Sequence, residues 1–503
     1  MRISEEFFST SFADLTEVEA DVTDSWAPAW IARKALHGAT ALGIRQVAAQ
    51  SLNVLGAILL ARLLTPAQFG IFAIVVFLRT FLLAFGDAGL ATSLIREPRE
   101  PEEMEYQAVF TFQQILVVCI FAVFWIASPV AAKLYHLQNA DIRLFRLVAI
   151  SLLCSSFQVI PTVRLERNLT YGKLAFIEIA MAAVFNGSAV GLAWMGWGVM
   201  SFGVALLARS FIGAVLANVV CPWRVRWSFD WKKVKPHLRF GLPYQGITFV
   251  SLLKDSIGPL YIGVLLGAAQ MGYVSWASTF AAWPVLAVTV FQRVYLSAFS
   301  RVQNHPALLA RFVERSIQAT NAIVAPAAVL VLVFSVPITR CIFGGKWLVG
   351  LPLFYLFWSV SLFAPTAIPA VALLNALGRS RLTFFFALIW MAGTWILGVP
   401  FIWLWGPLGY AAAVLVVNLS SVFLYRVAQS IVDFWVLRVV APIWAWAIGV
   451  GVLAYGFKVI WQPSNVPSLA LAVGAYAVVY VGGLLARYSD DARKLWTLAW
   501  KQA

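Results

Sequence analysis

The sequence has little charge. Only 12% of its 503 residues are Asp, Glu, Lys or Arg, where a soluble domain carries about 25%. The hydrophobic fraction is 61% and the mean hydropathy is +0.83. That much apolar surface excludes a soluble fold and leaves the bilayer as the solvent. Cysteine is scarce too. Cys119, Cys154, Cys221 and Cys341 have no paired spacing, so they build neither a disulfide framework nor a metal site. His37, His136, His237 and His305 fall in tails or loops, again without ligand spacing. No GxxxxGK[ST] phosphate loop exists, which argues against ATP hydrolysis. The first 25 residues hold Glu5, Glu6, Asp14, Glu17, Glu19, Asp21 and Asp24 against one Arg. A secretory leader needs a basic start and an apolar centre. This stretch is expected to be an acidic cytoplasmic tail.

What is present is a series of apolar runs of spanning length, about 20 residues each. They lie near 41–64, 69–95, 105–127, 142–162, 173–195, 198–220, 240–267, 271–297, 316–343, 350–376, 381–405, 407–427, 441–460 and 466–487. The expected fold is an all-α polytopic membrane protein with about fourteen transmembrane helices. The expected organisation is a tail (1–40), an N-lobe of six helices (41–220) and a basic linker (221–239). A C-lobe of six helices (240–430) and a final helix pair with a short tail (431–503) follow.

Loop charges agree with this count. With both termini cytoplasmic, the inner loops hold Arg96, Arg99, Arg164, Arg167, Arg301, Arg311, Arg379 and Arg381. The linker adds Arg224, Arg226, Lys232, Lys233, Lys235 and Arg239. The outer turns near 196–198, 267–270 and 406–409 hold no cation. This is the positive-inside pattern. The net charge of +15 is thereby assigned to cytoplasmic loops, not to a nucleic-acid partner.

An internal repeat accompanies the spans. LLTPAQFGIFA from Leu63 to Ala73 aligns with LLGAAQMGYVS from Leu265 to Ser275 at an offset of 202 residues. Trp197-Gly198 echoes Trp405-Gly406 at an offset of 208. Six spans per repeat give parallel lobes about an axis along the membrane normal, an arrangement found in transporters that rock two bundles. Chance agreement in Leu/Ala/Gly-rich sequence is the competing reading.

Charges inside spans carry the functional signal, since each costs about 2.5–3.5 kcal/mol at a helix centre. The span map buries Arg45, Arg79, Arg209, Lys254 and Arg293 against Asp87, Glu178 and Asp255. The five cations are candidates for a stair that binds phosphate oxygens. Arg45 and Arg293 can alternatively snorkel to the surface, and Arg209 can pair with Glu178. Asp255 and Glu178 are candidates for ion coupling. Gln46, Gln50 and Asn53 share a face of the first helix, and Ser275, Ser278, Thr279 and Gln292 recur along the eighth. Such stripes line a cavity or join helices. Gly258-Pro259 should break the seventh helix beside Lys254 and Asp255.

The first two helices, LARLLTPAQFGIFAI and FGDAGLATSLIRE, resemble the polysaccharide-transporter branch of the multidrug/oligosaccharidyl-lipid/polysaccharide exporter superfamily, as does FGLPYQGITFVSLLKDSIGPLYIGVLLG in the seventh. The similarity covers about residues 41–430 and points to the Wzx-type oligosaccharide flippases. It implies a multi-pass protein of the bacterial inner membrane, with no cofactor and no catalytic residue. The implied activity moves a polyprenyl-pyrophosphate-linked oligosaccharide to the periplasmic leaflet for O-antigen or exopolysaccharide synthesis. It also implies a cationic cavity, a lateral portal between helices one and eight, and a polysaccharide polymerase and chain-length regulator as partners. Two fused halves make a monomer the expected state. The rivals are a drug or cation exporter of the same fold, which should favour cavity acids, and a membrane polymerase or ligase, which should need a large outer loop.

Overall fold

The computed structural model describes residues 49–135, 139–286, 288, 291–463 and 465–487. All regular structure there is helical. α1 (Ala49–Leu63) turns sharply into α2 (Pro66–Asp87). Thr65 and Gln68 form a reciprocal capping box, and Pro66 occupies the first turn, where its missing N–H costs nothing. The expected second span ends in a break. Ala88 and Gly89 have φ of 48° and 75°, and α3 (Leu90–Arg96) leaves at a new angle. α4 (Glu103–Leu134), α5 (Asn139–Ser156) and α6 (Val159–Arg167) follow, then α7 (Tyr171–Trp194) and α8 (Met200–Val220).

The second half begins with α9 (Trp231–Asp255), a π-helical turn (Gly258–Ile262) and α10 (Gly267–Leu286). Then come α11 (Phe291–Val302), α12 (Pro306–Val333), α13 (Leu351–Trp358), α14 (Val360–Ala376) and α15 (Ser380–Trp405). α16 (Pro407–Leu419), α17 (Ser421–Ile431), α18 (Val436–Trp461) and α19 (Val466–Arg487) complete the chain.

Ten of these segments are long and apolar enough to cross a membrane among the described residues. The number is twelve if each bent pair, α5 with α6 and α9 with Gly258–Leu265, is one span. The expected count of about fourteen differs at two places. α1 shows only fifteen described residues, and α10 carries Gln270, Ser275, Ser278 and Thr279, which lower its apolar character. The linker also differs. Its second half is helix, starting where the Asp230 side chain accepts the Lys232 N–H and caps α9. Only residues 221–230 remain outside regular structure. His237, expected in a loop, is therefore helical and buried.

The seventh helix breaks where Gly258-Pro259 predicts, with a 41° bend. Proline removes a helical donor and crowds the preceding turn. The largest core joins α2, α5 and α8 to α10, α13 and the 343–351 segment, with Phe202, Phe280, Trp347 and Phe354 fully buried.

Candidate functional site

A cavity of about 860 Å³ lies among α2, α9, α10, α14, α15 and α16. α2 contributes Phe69, Phe72, Ala73, Val76 and Phe77, spaced three and four apart so that one face meets the space. α10 contributes Ser275, Ser278 and Thr279 at the same spacing. Lys254 and Asp255 enter at the α9 bend, 3.3 Å apart. Gln292 lies on the wall as well. Trp390, Thr394, Tyr410 and Asn418 complete the polar and aromatic lining. Sequence reasoning missed these four, because single polar residues in α15 and α16 carry no periodic signal.

The expected cationic stair divides. Arg79 is off the cavity: two residues past Phe77 a helix has turned about 200°. Its guanidinium faces the N-terminal bundle and donates to Ser151 Oγ at 3.4 Å and Ser210 Oγ at 3.2 Å. Arg209 belongs to that group. It stands over the Phe185 ring at 5.9 Å, within electrostatic reach of Arg79 and Glu178. Asn53 accepts from Asn186 Nδ2 at 3.1 Å, so it joins α1 to α7. Gln50 is half-buried on α1 and does not line the cavity. Arg45 and Gln46 lie outside the described residues, as does the Arg293 side chain.

Two seals flank the cavity along α2. At one end Gly70 and Gly272 interlock. A Cβ on Gly70 would overlap the Ala268 carbonyl, and one on Gly272 would overlap the Pro66 carbonyl. Around them Trp347 stacks on Trp276 at 5.4 Å and meets Phe69 edge-on at 5.3 Å. Trp347 Nε1 donates to the Ala61 carbonyl at 2.8 Å, and Lys346 Nζ donates to those of Arg62 and Leu64 at 2.8 and 2.6 Å. These carbonyls end α1, where a cation also complements the helix dipole.

The other seal lies at the end rich in loop Arg and Lys. Gly89, in a backbone conformation that favours glycine, touches Gly241 backbone to backbone. Ser93 Oγ and His237 Nδ1 are hydrogen-bonded at 2.8 Å. Arg96 lies over the Phe240 ring at 4.2 Å, and Gln245 Nε2 donates to the Ala84 carbonyl at 3.3 Å. This seal joins α2 and α3 to α9.

A helical multi-pass membrane protein with a central cavity flanked by packed seals has the architecture of a carrier. Comparison with known proteins specifies it further. A family described as "Polysaccharide biosynthesis protein" matches residues 59–352, more than half of the chain. The chain belongs to that family. It is 24% identical over 337 residues to the succinoglycan biosynthesis transport protein ExoT of Rhizobium meliloti, covering 66% of this chain and 67% of that one. It is 24% identical over 367 residues to the lipopolysaccharide biosynthesis protein WzxC of Escherichia coli, covering 70% and 72%. Its fold is similar to that of the lipid II flippase MurJ in an inward closed conformation. The TM-score is 0.73 at 14% identity, over 90% of this chain and 99% of that one.

Proposed function

We propose that this chain flips a polyprenyl-pyrophosphate-linked oligosaccharide from the cytoplasmic to the periplasmic leaflet of the bacterial inner membrane, by alternating access. The observation that carries the proposal is Lys254 on the wall of a cavity flanked by two seals. Lys254 and Asp255 keep 40% and 64% of their side chains accessible. A pair so exposed contributes only about 0–1 kcal/mol. A phosphate oxygen can therefore replace Asp255 on the ammonium at little cost. The released carboxylate then becomes a site for a proton or cation, with Glu178 beside Arg209 as the second candidate. Arg79 and Arg209 act in this reading through a positive field behind the α2 wall. Arg45 and Arg293 belong to the entry path. A membrane potential supplies about 2.3 kcal/mol per charge per 100 mV.

The reading takes the protein as fourteen spans in two parallel six-helix lobes, 41–220 and 240–430, with both termini cytoplasmic. The reciprocal Gly70–Gly272 contact supports it, since Gly70 with Gly272 and Pro66 with Ala268 all share the 202-residue offset. Gly198 and Gly406, the second echo, both have positive φ, at 54° and 59°. The glycan belongs to O-antigen or exopolysaccharide synthesis, as the names of ExoT and WzxC suggest. A polymerase and a chain-length regulator would receive it.

Export assays test this directly. Lys254→Ala, alone or with Arg79→Ala, should abolish glycan export while membrane insertion stays normal. Full export by the double variant would sink the role of the cations. A Ser93→Cys/His237→Cys pair, in a background without the native cysteines, should block export when oxidised and release it when reduced. Export indifferent to that cross-link would rule out opening at the basic seal.

A further inference from the structure

The transport reading leaves unused the segment 221–230 and the first turns of α9. This strap is fixed along α4. Gln107 Nε2 donates to the Arg224 carbonyl at 3.3 Å, and the Ser228 N–H donates to Thr111 Oγ1 at 2.9 Å. Trp223 meets Phe110 edge-on at 5.1 Å. The backbone is thus held while the side chains project. Arg224, Arg226, Trp227, Phe229, Lys232 and Lys235 are exposed, Trp227 to 67% and Phe229 to 61%. None of the four cations has an ion-pair partner among the described residues.

Helix length gives the depth of the strap. α4 has 32 residues, about 48 Å, against a hydrocarbon core of about 30 Å. Exposed Ile115, Val118, Val123, Ile126, Val130 and Leu134 mark its lipid-facing part, which at 1.5 Å per residue spans about 30 Å. The turns that hold the strap, around Gln107 to Thr111, therefore stand at headgroup level. Alternating aromatic and cationic side chains at that level match a phospholipid surface: the rings sit in the interface and the cations meet phosphate. A soluble acidic partner would explain the cations and leave Trp227 and Phe229 unexplained.

We propose that the strap 221–230, with the first turn of α9, is a binding site for anionic phospholipid headgroups at the basic end of the protein. It is separate from the transport cavity. The strap leads through Asp230 into α9, the helix that carries His237 and Gly241 of the basic seal.

The test is lipid titration of the full chain in detergent, with bound lipid counted by native mass spectrometry. Phosphatidylglycerol should bind at least about tenfold more tightly than phosphatidylcholine, since each surface cation contributes about fivefold. Replacing Arg224, Arg226, Lys232 and Lys235 together by Ala should abolish the preference. Should that variant fail to fold, Arg224→Gln with Arg226→Gln should weaken phosphatidylglycerol binding by at least tenfold, while Arg224→Lys with Arg226→Lys should keep it. Unchanged phosphatidylglycerol affinity in either neutral variant overturns the proposal. Deleting residues 1–25 should leave the preference unaltered. A preference that emerges only after that deletion assigns the strap to the acidic tail and overturns the proposal as well.

Discussion

The two seals that flank the cavity along α2 are held by different physics. The seal at the Gly70–Gly272 end is built around aromatic rings: stacked Trp347 and Trp276, edge-on Phe69, and two backbones in contact, with Trp347 and Lys346 donating to the last carbonyls of α1. The seal at the basic end holds smaller contacts: one Ser–His hydrogen bond, the Gln245 amide on the Ala84 carbonyl, one cation over a ring and one glycine pair. Apolar burial has no substitute partner in water, whereas a hydrogen bond exchanges for one to solvent at a net of about 1 kcal/mol. A larger share of the basic seal therefore rests on contacts that solvent can replace.

Substitutions grade this comparison. Trp347→Ala should have the largest effect, a loss of about 3–5 kcal/mol in detergent unfolding, because a fully buried indole leaves a cavity. Gly70→Ala and Gly272→Ala come next, at about 1–3 kcal/mol. The added methyl meets backbone carbonyls that no side-chain rotation can move aside. Both should also impair export, read as glycan at the cell surface. Ser93→Ala should cost about 1 kcal/mol, and should raise the labelling of a cysteine placed at Phe240 by an impermeant thiol reagent. Arg96→Ala should be smallest, about 0.5–1 kcal/mol. Equal losses from Trp347→Ala and Ser93→Ala would dissolve the distinction between the seals.

Much of the site was legible because helical period is a local property. Ser275, Ser278 and Thr279 share a stripe in the sequence and share the cavity wall. Gly258-Pro259 announces its own bend. Lys254 and Asp255 stand out as charges in an apolar run and line the same space. The stair was not legible as a path. Arg79 and Lys254 look alike in a hydropathy profile, yet one faces α5 and α8 of the N-terminal bundle and the other faces the cavity. Which side of α2 meets α10 depends on packing between segments about 200 residues apart. Nor was the basic seal legible. His237 sits in a stretch of Lys and Arg that reads as loop, yet the helix that carries it starts at the Asp230 cap.

Sequence alone determined that this chain lives in the bilayer, which loops carry the cations, and where the seventh helix breaks. Those properties depend on transfer energy and on backbone chemistry within a few residues. Tertiary structure decided which buried charges share a cavity and which brace a bundle, and which glycines become contacts between helices. Those outcomes depend on how helix faces pair across the molecule. In lipid every apolar face is equally soluble, so hydrophobicity cannot choose among the pairings. Close packing chooses instead, through residues as small as Gly70 and Gly272.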